Sequence, residues 1–343
     1  MLKLSFILPC YNVAPYVGRC IESIEHQDIP QSEYEVICVD DCSKDNTADV
    51  IREYQKQYPN VRLICHEVNK TAGGARNTGM DAAKGEYLWF VDPDDAIVSE
   101  EAEMLYGYAH KKQLDILVFN YLRVEDNNDV HECKQISEYS NICNGQDFFI
   151  QYFPQRRMAD FSSIWRELYK RSFCVDKSIR YPEIKAAQDV VFAWDAFLKA
   201  EKLAAVPTNG YICYRRATST TGSKGRLAAR AIISQSILFA YEIYKLLGVN
   251  ETIYSPIRAD MDNAIGYALN IDSRNILYAP QKEQHEFYKL MQHYKDMIKV
   301  LHAYMNRKTK QLFAYKIPYS LWQCQVWVYR IVNNIKQRES IKY

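Results

Sequence analysis

An α/β fold is what this 343-residue sequence predicts: a mostly parallel sheet with helices on both faces, followed by a helical C-terminal region. Three observations predict it. Short apolar runs alternate with helical periodicities through about the first 120 residues. Several of those runs end in clustered polar and acidic residues. Beyond Arg226 the strand signals stop and helical spacing continues almost to the end. Strands separated by helices in this rhythm imply parallel βαβ units.

The elements follow in order. "KLSFILP" is a short apolar strand, and a helix runs from Pro15 to about Gln27. "YEVICVDD" is a second strand, and "NTADVIREYQKQY" is a helix with Val50, Ile51 and Tyr54 at helical spacing. "VRLICH" is a third strand, and "GARNTGMDAAKG" reads as a helix closed by Gly85 as its C-cap. "EYLWFVD" is a fourth strand, 99–112 a helix, and "LDILVFNYL" a fifth strand. "LRVEDNNDVHECK" predicts a hairpin with Asp126 to Asp129 at its tip. A helix around 146–153, a short strand near "SSIWRELY", a helix at "AAQDVVFAWDAFLKA" and a last strand at "NGYICYRR" complete the series. In the helical region, breaks fall near Gly248, Ala279-Pro280 and Pro318. The expected division is a domain over 1–222, with halves at about 1–121 and 122–222, and a helical region over 223–343.

Apolar residues at 48% and charged residues at 25% are those of an ordinary globular protein. A net charge of +1 gives no field that would select nucleic acid as a partner. The charge is uneven, however. Met305 to Tyr343 holds eight lysines and arginines against one acid, a local +7 that leaves −6 for the rest. The ten cysteines include no CxxC pair and no zinc-ligand spacing with histidine. With no secretory pattern in "MLKLSFILPCYN", the expectation is a reducing cytoplasm.

In open parallel sheets ligands bind beyond the carboxyl ends of the strands. Here strand one ends in Pro9-Cys10-Tyr11-Asn12, strand two in Asp40-Asp41 and strand four in Asp92-Pro93-Asp94-Asp95. Like charges this close repel unless something positive neutralises them. A solvated surface turn would tolerate them. A divalent cation, Mg²⁺ or Mn²⁺, bound by one or two carboxylates and by substrate phosphate oxygens is the functional alternative. A dinucleotide oxidoreductase is excluded, because "PCYNVAP" stands where GxGxxG would follow strand one.

The segments "SFILPCYNVAPYVGRCIESI", "YEVICVDDCSKDNT", "NKTAGGARNTGMDAAKGEYLWFVDPDD" and "AAQDVVFAWDAFLKA" resemble the inverting family-2 nucleotide-sugar glycosyltransferases of the Rossmann-like GT-A fold. The resemblance spans about residues 3–222, in the family's order, and is closest to bacterial enzymes of surface-polysaccharide synthesis. It implies a hexosyl- or N-acetylhexosaminyl-transferase that takes a nucleoside-diphosphate donor, a UDP-sugar first, and a glycan or lipid-linked acceptor. It implies that Pro9, Tyr11 and Asn12 line the nucleotide pocket and that Asp40 and Asp41 grip base and ribose. Asn69, Ala75, Arg76 and Asn77 match the stretch that closes over nucleotide and diphosphate, with a structural salt bridge as the other reading of Arg76. Asp92 and Asp94 match the metal and diphosphate motif, with Asp95 as support or sugar-hydroxyl acceptor. Asp189 matches the catalytic base, the alternative being a helix cap. Trp165 matches an aromatic position near the acceptor, or fills the core.

Three positions depart from the family pattern. Gln188 replaces the usual acid before the base, with consequences for sugar selectivity or metal support; Thr71 stands where many relatives have glycine. "CYRRATSTTGS" resembles the final basic loop without choosing between Arg215 and Arg216 for the diphosphate. A non-catalytic nucleotide-sugar-binding partner subunit is the competing function. In the tail, Leu321, Val328, Ile331, Val332 and Ile335 share a helical face near Trp322 and Trp327, and the uncharged run Ile317–Tyr329 is too short to cross a bilayer. Residues 318–343 thus suit the inner face of an anionic membrane, or packing on the enzyme domain or a second subunit, which would make a homo-oligomer.

Overall fold

The computed structural model describes residues 2–133, 136–152, 163–215, 229–250, 252–278, 280–313 and 316–340. The chain divides into two compact units, Met1–Gly225 and Arg226–Tyr343.

The first unit is built on one sheet of nine strands among the described residues. They are β1 (Leu4–Cys10), β2 (Tyr34–Asp40), β3 (Val61–Cys65), β4 (Tyr87–Phe90), β5 (Ala96–Ile97), β6 (Ile116–Val124), β7 (Val130–Cys133), β8 (Glu167–Lys170) and β9 (Leu203–Tyr214). Their order is β3-β2-β1-β4-β8-β6-β9-β5, with β7 paired to β6 as the expected hairpin. Every residue of β1 and β2 is buried, because helices cover both faces; a continuous apolar run rather than alternation is the result. Phe6 of β1 lies 5.4 Å from Trp89, which in turn lies 5.1 Å from Phe119, so aromatic rings join three strands in one core.

The βαβ rhythm holds for β1, β2, β3 and β4, which pair in parallel. It does not place the fifth strand beside the fourth. β8 lies between β4 and β6 and runs antiparallel to both. The insertion is held from behind: Trp89 Nε1–H donates to the carbonyl of Trp165 at 2.8 Å, just before β8. β9 then pairs with β6 in parallel along nearly its whole length.

The helices of this unit are α1 (Ala14–Glu25), α2 (Thr47–Gln57), α3 (Thr71–Ala82), α4 (Ala102–Lys112), α5 (Gly145–Tyr152), α6 (Arg171–Asp176) and α7 (Gln188–Lys199). α1 buries Val17, Cys20, Ile21 and Ile24, the i, i+3, i+4, i+7 stripe of an amphipathic helix. The C-cap reading of Gly85 is corrected. α3 ends at Ala82 and Ala83 is already extended. Gly85 is needed for another reason: a Cβ there would stand 2.5 Å from the backbone of Leu4 and Ser5. Its N–H donates to Ser5 Oγ at 2.8 Å.

The second unit holds α8 (Ala229–Val249), α9 (Ser255–Tyr278), α10 (Gln281–His293), α11 (Lys295–Leu301), α12 (Arg307–Leu312) and α13 (Tyr319–Ser340). Trp322 of α13 is fully buried, donates from Nε1 to the carbonyl of Leu312 at 2.7 Å, and packs on Phe287 and Tyr288. Leu321, Trp327 and Val328 of the same helix are exposed. Trp322 therefore leaves the outward apolar face expected for it. No helix among the described residues is long and apolar enough to cross a membrane. All ten cysteines are free thiols.

Burial pushes the Glu167 carboxyl up to about 7, against the pull of the Tyr169 hydroxyl that donates to it and of Arg166. The folded chain thus keeps a proton that the unfolded chain releases near pH 4.5. The stability contributed is full below that pH and is lost as pH rises through about 7. Thermal unfolding followed at several pH values should show Glu167→Gln losing less stability than the wild type across this window.

Candidate active site

Because β1 lies between β2 and β4, the three polar strand ends do meet. Cys10 pairs with Asp40 in register, and Val91 N–H donates to the carbonyl of Ile7 at 3.0 Å, which sets Asp92 beside the end of β1. Pro9 is buried at that end, and Tyr11, just beyond it, is 46% exposed. Asn12 takes φ 53°, a left-handed turn that asparagine tolerates. Its N–H donates to Ser43 Oγ at 3.0 Å, and its Oδ1 accepts from Lys44 N–H at 2.7 Å. The loops after β1 and β2 are thereby tied together.

Asp40 and Asp41 are both buried. Asp40 Oδ2 accepts weakly from Ser43 N–H at 3.3 Å, whereas Oδ1 is buried with no partner. Asp41 Oδ1 accepts from Lys70 N–H and pairs with His66 Nδ1, each at 2.7 Å, and its carbonyl accepts from Asn69 Nδ2 at 3.0 Å. Sequence reasoning missed His66, which sits one residue past β3. Its spacing carries no metal or nucleophile signal, and only the fold sets it against Asp41. Asn69 also receives Thr71 N–H on its Oδ1 at 3.2 Å. Thr71 has φ 70°, the conformation that glycine favours and that strains a β-branched residue. Its hydroxyl is buried without a partner.

Past Thr71, α3 carries Arg76 into the centre of the site. Arg76 is 6% exposed, and its Nη2 donates to Asp92 Oδ1 at 2.7 Å. Its guanidinium lies 5.4 Å from the ring centre of Tyr181, and its Nε–H has no partner. Asn77, one residue further, is committed to the scaffold. It exchanges hydrogen bonds with the backbone of Tyr181 at 2.9 and 3.0 Å, holding the segment before α7 against α3. Gly73 permits this approach: a Cβ there would press on Gln188, Tyr181 and Pro182.

That packing delivers Asp189. α7 opens on Ala187 in a left-handed conformation, with no side-chain cap, so Asp189 in the first turn is not the N-cap. Its Oδ1 accepts from Val190 N–H at 3.0 Å. Burial raises the Asp189 carboxyl above the usual aspartate range; Arg76 pulls it back, and Asp92 raises it further. The base candidate, the arginine and the metal-motif aspartate therefore share one electrostatic site. Gln188 Oε1 and the Tyr181 hydroxyl, both beside it, are buried without partners.

Asp95 turns inward. It is 5% exposed and both oxygens accept within the chain: Oδ2 from the Tyr211 hydroxyl at 2.9 Å and Oδ1 from Tyr214 N–H at 2.8 Å. Of its two expected roles this geometry is that of support. Arg19 completes the brace, donating to the Asp94 carbonyl at 2.5 Å with its guanidinium 3.7 Å from the Tyr214 ring centre. Trp165 is 9% exposed and stacks on Tyr211 at 4.4 Å, so its ring is a packed wall under this brace. Arg215 is exposed and continues from β9; Arg216 lies outside the described residues.

No group of three potential metal-ligating side chains occurs among the described residues. Asp92, a third exposed, and Asp94 form a two-carboxylate donor set, which fits a hard cation completed by phosphate oxygens and water rather than a protein-enclosed ion.

A mixed sheet with helices on both faces and acidic ends on its parallel strands is a Rossmann-like α/β domain. Residues 5–173 match the family model of Glycosyl transferase family 2. The chain is 34% identical over 208 residues to a poly(ribitol-phosphate) beta-glucosyltransferase of Bacillus spizizenii, an alignment covering 59% of this chain and 30% of that protein. It is 26% identical over 274 residues to the poly(ribitol-phosphate) beta-N-acetylglucosaminyltransferase TarS of Staphylococcus aureus, covering 77% of this chain and 42% of the relative. The chain thus spans less than half the length of either. The crystal structure of S. aureus TarS 1-349 in complex with UDP matches with a TM-score of 0.65 at 22% identity, over 98% of this chain and 92% of that one. A Pyrobaculum calidifontis mannosyltransferase, PcManGT, solved with GDP-Man and Mn²⁺, shares the fold more distantly, over 97% of this chain and 86% of that one, with a TM-score of 0.51 at 16% identity. This chain carries a family 2 glycosyltransferase domain built on the GT-A fold.

Relief of the strain at Thr71 should be measurable. Thr71→Gly is expected to stabilise the folded state by about 1 kcal/mol, since the left-handed conformation costs a non-glycine residue roughly that amount. Chemical denaturation checks it.

Proposed function

We propose that this chain is a metal-dependent inverting glycosyltransferase that moves a sugar from a UDP-sugar to a glycan or lipid-linked acceptor in cell-surface polysaccharide synthesis. One observation carries the reading. Asp40 Oδ1, Thr71 Oγ1, Arg76 Nε, Tyr181 Oη and Gln188 Oε1 are all buried and unpartnered, and they belong to the end of β2, to α3, to the segment before α7 and to its first residue. Leaving one such group unsatisfied costs about 1–3 kcal/mol. Thr71 and Arg76 lie on α3, which packs against Tyr181 and Gln188, and unpartnered groups brought together in this way suit a polar ligand.

The chemistry assigns the parts. Asp40 and Asp41 present carboxylate oxygens, which accept only, and so favour a base with an N–H on its pairing edge and the hydroxyls of a ribose. Uracil has that N–H. The TarS structure with UDP supports the same choice. Asp92 and Asp94 would hold Mg²⁺ or Mn²⁺ against the diphosphate, where the cation offsets charge on the leaving group. Arg76 contributes its free Nε–H, and Arg215 just past the end of β9 adds positive charge. Asp189 accepts the proton of the attacking acceptor hydroxyl from the face opposite the diphosphate. Its raised carboxyl suits that task, because burial makes a carboxylate a stronger base. Gln188, neutral beside it, offers an amide to a sugar hydroxyl, and Trp165 and Asp95 shape the floor beneath.

Asp189→Asn tests the assignment. Transfer from a UDP-sugar is expected to fall by at least about 100-fold, the usual scale of a lost general base, with UDP affinity within a few-fold of wild type. Turnover that survives the substitution would remove Asp189 from this role.

The tail fits an acceptor at a lipid surface. On α13 the exposed Leu321, Trp327 and Val328 lie apart from the buried Trp322 and Val326, and the four Lys/Arg against one Glu in 318–343 complement anionic lipid. Deletion of 318–343 should abolish sedimentation with phosphatidylglycerol vesicles, while phosphatidylcholine vesicles fail to recruit even the intact chain. Unchanged sedimentation, or a dimer that hides the face, would count against the membrane.

A further inference from the structure

We infer that His66 is a positioning residue for nucleotide binding: its imidazole ring ties the Asp41 carboxylate to α3 and holds both in the form that receives the base. This rests on the strand ends being the nucleotide pocket, as proposed above.

The geometry is specific. His66 follows β3, and its own N–H donates to the Asp40 carbonyl at 2.9 Å, extending the β2–β3 ladder by one step. Its side chain is 5% exposed and that of Asp41 is 3% exposed. The ring reaches in two directions, with Nδ1 2.7 Å from Asp41 Oδ1 and Nε2 2.9 Å from Thr78 Oγ1 on α3. Thr78 Oγ1 also lies 3.1 Å from the Gly74 carbonyl within α3. A carboxylate is acceptor-only, so Nδ1 donates to Asp41. The ring thus bridges Asp41 and Thr78 within a buried setting.

Three elements are pinned by that one ring: the end of β3 by its backbone, the end of β2 through Asp41, and the first turns of α3 through Thr78. Asp41 Oδ1 also accepts from Lys70 N–H at 2.7 Å, so two groups fix this one oxygen. The same carboxylate fixes where Asn69 and Thr71 enter α3, and therefore the height at which Arg76 stands over Asp92. His66 itself touches no substrate. It sets the position of a group that does.

The test uses the full chain, with UDP as the probe in calorimetric titration. His66→Ala is expected to weaken UDP binding by about tenfold or more, since it strips a buried carboxylate of a hydrogen-bond donor. His66→Asn, whose amide nitrogen stands near the place of Nδ1, is expected to stay within about threefold of wild type by keeping a donor on Asp41. Thr78→Val removes only the anchor of the far nitrogen and should fall between the two. A merely structural role would not grade affinity by the donor to Asp41. UDP affinity unchanged in His66→Ala, or His66→Asn as weak as His66→Ala, overturns the inference. If His66→Ala does not fold, Thr78→Val with wild-type affinity overturns it. A wild-type chain that does not bind UDP overturns instead the nucleotide reading on which it rests.

Discussion

The contact between Arg76 and Asp92 governs this site. Burying a guanidinium is expensive unless carboxylates surround it, and burying carboxylates together is expensive unless a cation stands among them. Arg76 is 6% exposed, holds Asp92 directly and lies within the field of Asp189. Arg76 is what makes the two aspartates tolerable, since each raises the cost of the other's charge. The pair thus joins α3, the end of β4 and the start of α7, elements separated by up to about a hundred residues of chain.

Around that contact the protein spends most polar groups on holding its own loops. Asn12 ties the loop after β1 to the loop after β2. Asn77 binds the Tyr181 backbone, and Asp95 fastens the turn after β4 to the end of β9. Residues that a motif would assign to substrate are in these cases the scaffold on which substrate groups stand. Asp40 Oδ1, Arg76 Nε and Gln188 Oε1 are among the buried atoms left without a partner. A site placed on strand ends and braced in this manner is preorganised, so little conformational freedom is left to be lost on binding.

Much of this was legible in the sequence for local reasons. An apolar run buried on both faces reads as a strand whatever its neighbours, and β1 and β2 fall within a residue or two of the segments that predict them. The acidic strand ends were legible because a parallel sheet sends its carboxyl ends to one edge. Gly85 was misread because a glycine after a helix resembles a cap, whereas its reason is the backbone of Leu4 and Ser5 across a strand. His66 was invisible because one histidine after a strand has no spacing to compare. β8 was recognised as a strand, but nothing local says that it inserts between β4 and β6.

The sequence by itself determined the elements, their rhythm and the chemical character of the strand ends, since these depend on residues within a few positions of one another. Tertiary structure alone decided which groups face one another: Arg76 against Asp92, His66 against Asp41, Trp322 into the helical unit while Trp327 stays outside. Such pairings join distant segments, and their energies depend on burial and distance, quantities that do not exist until the chain has folded.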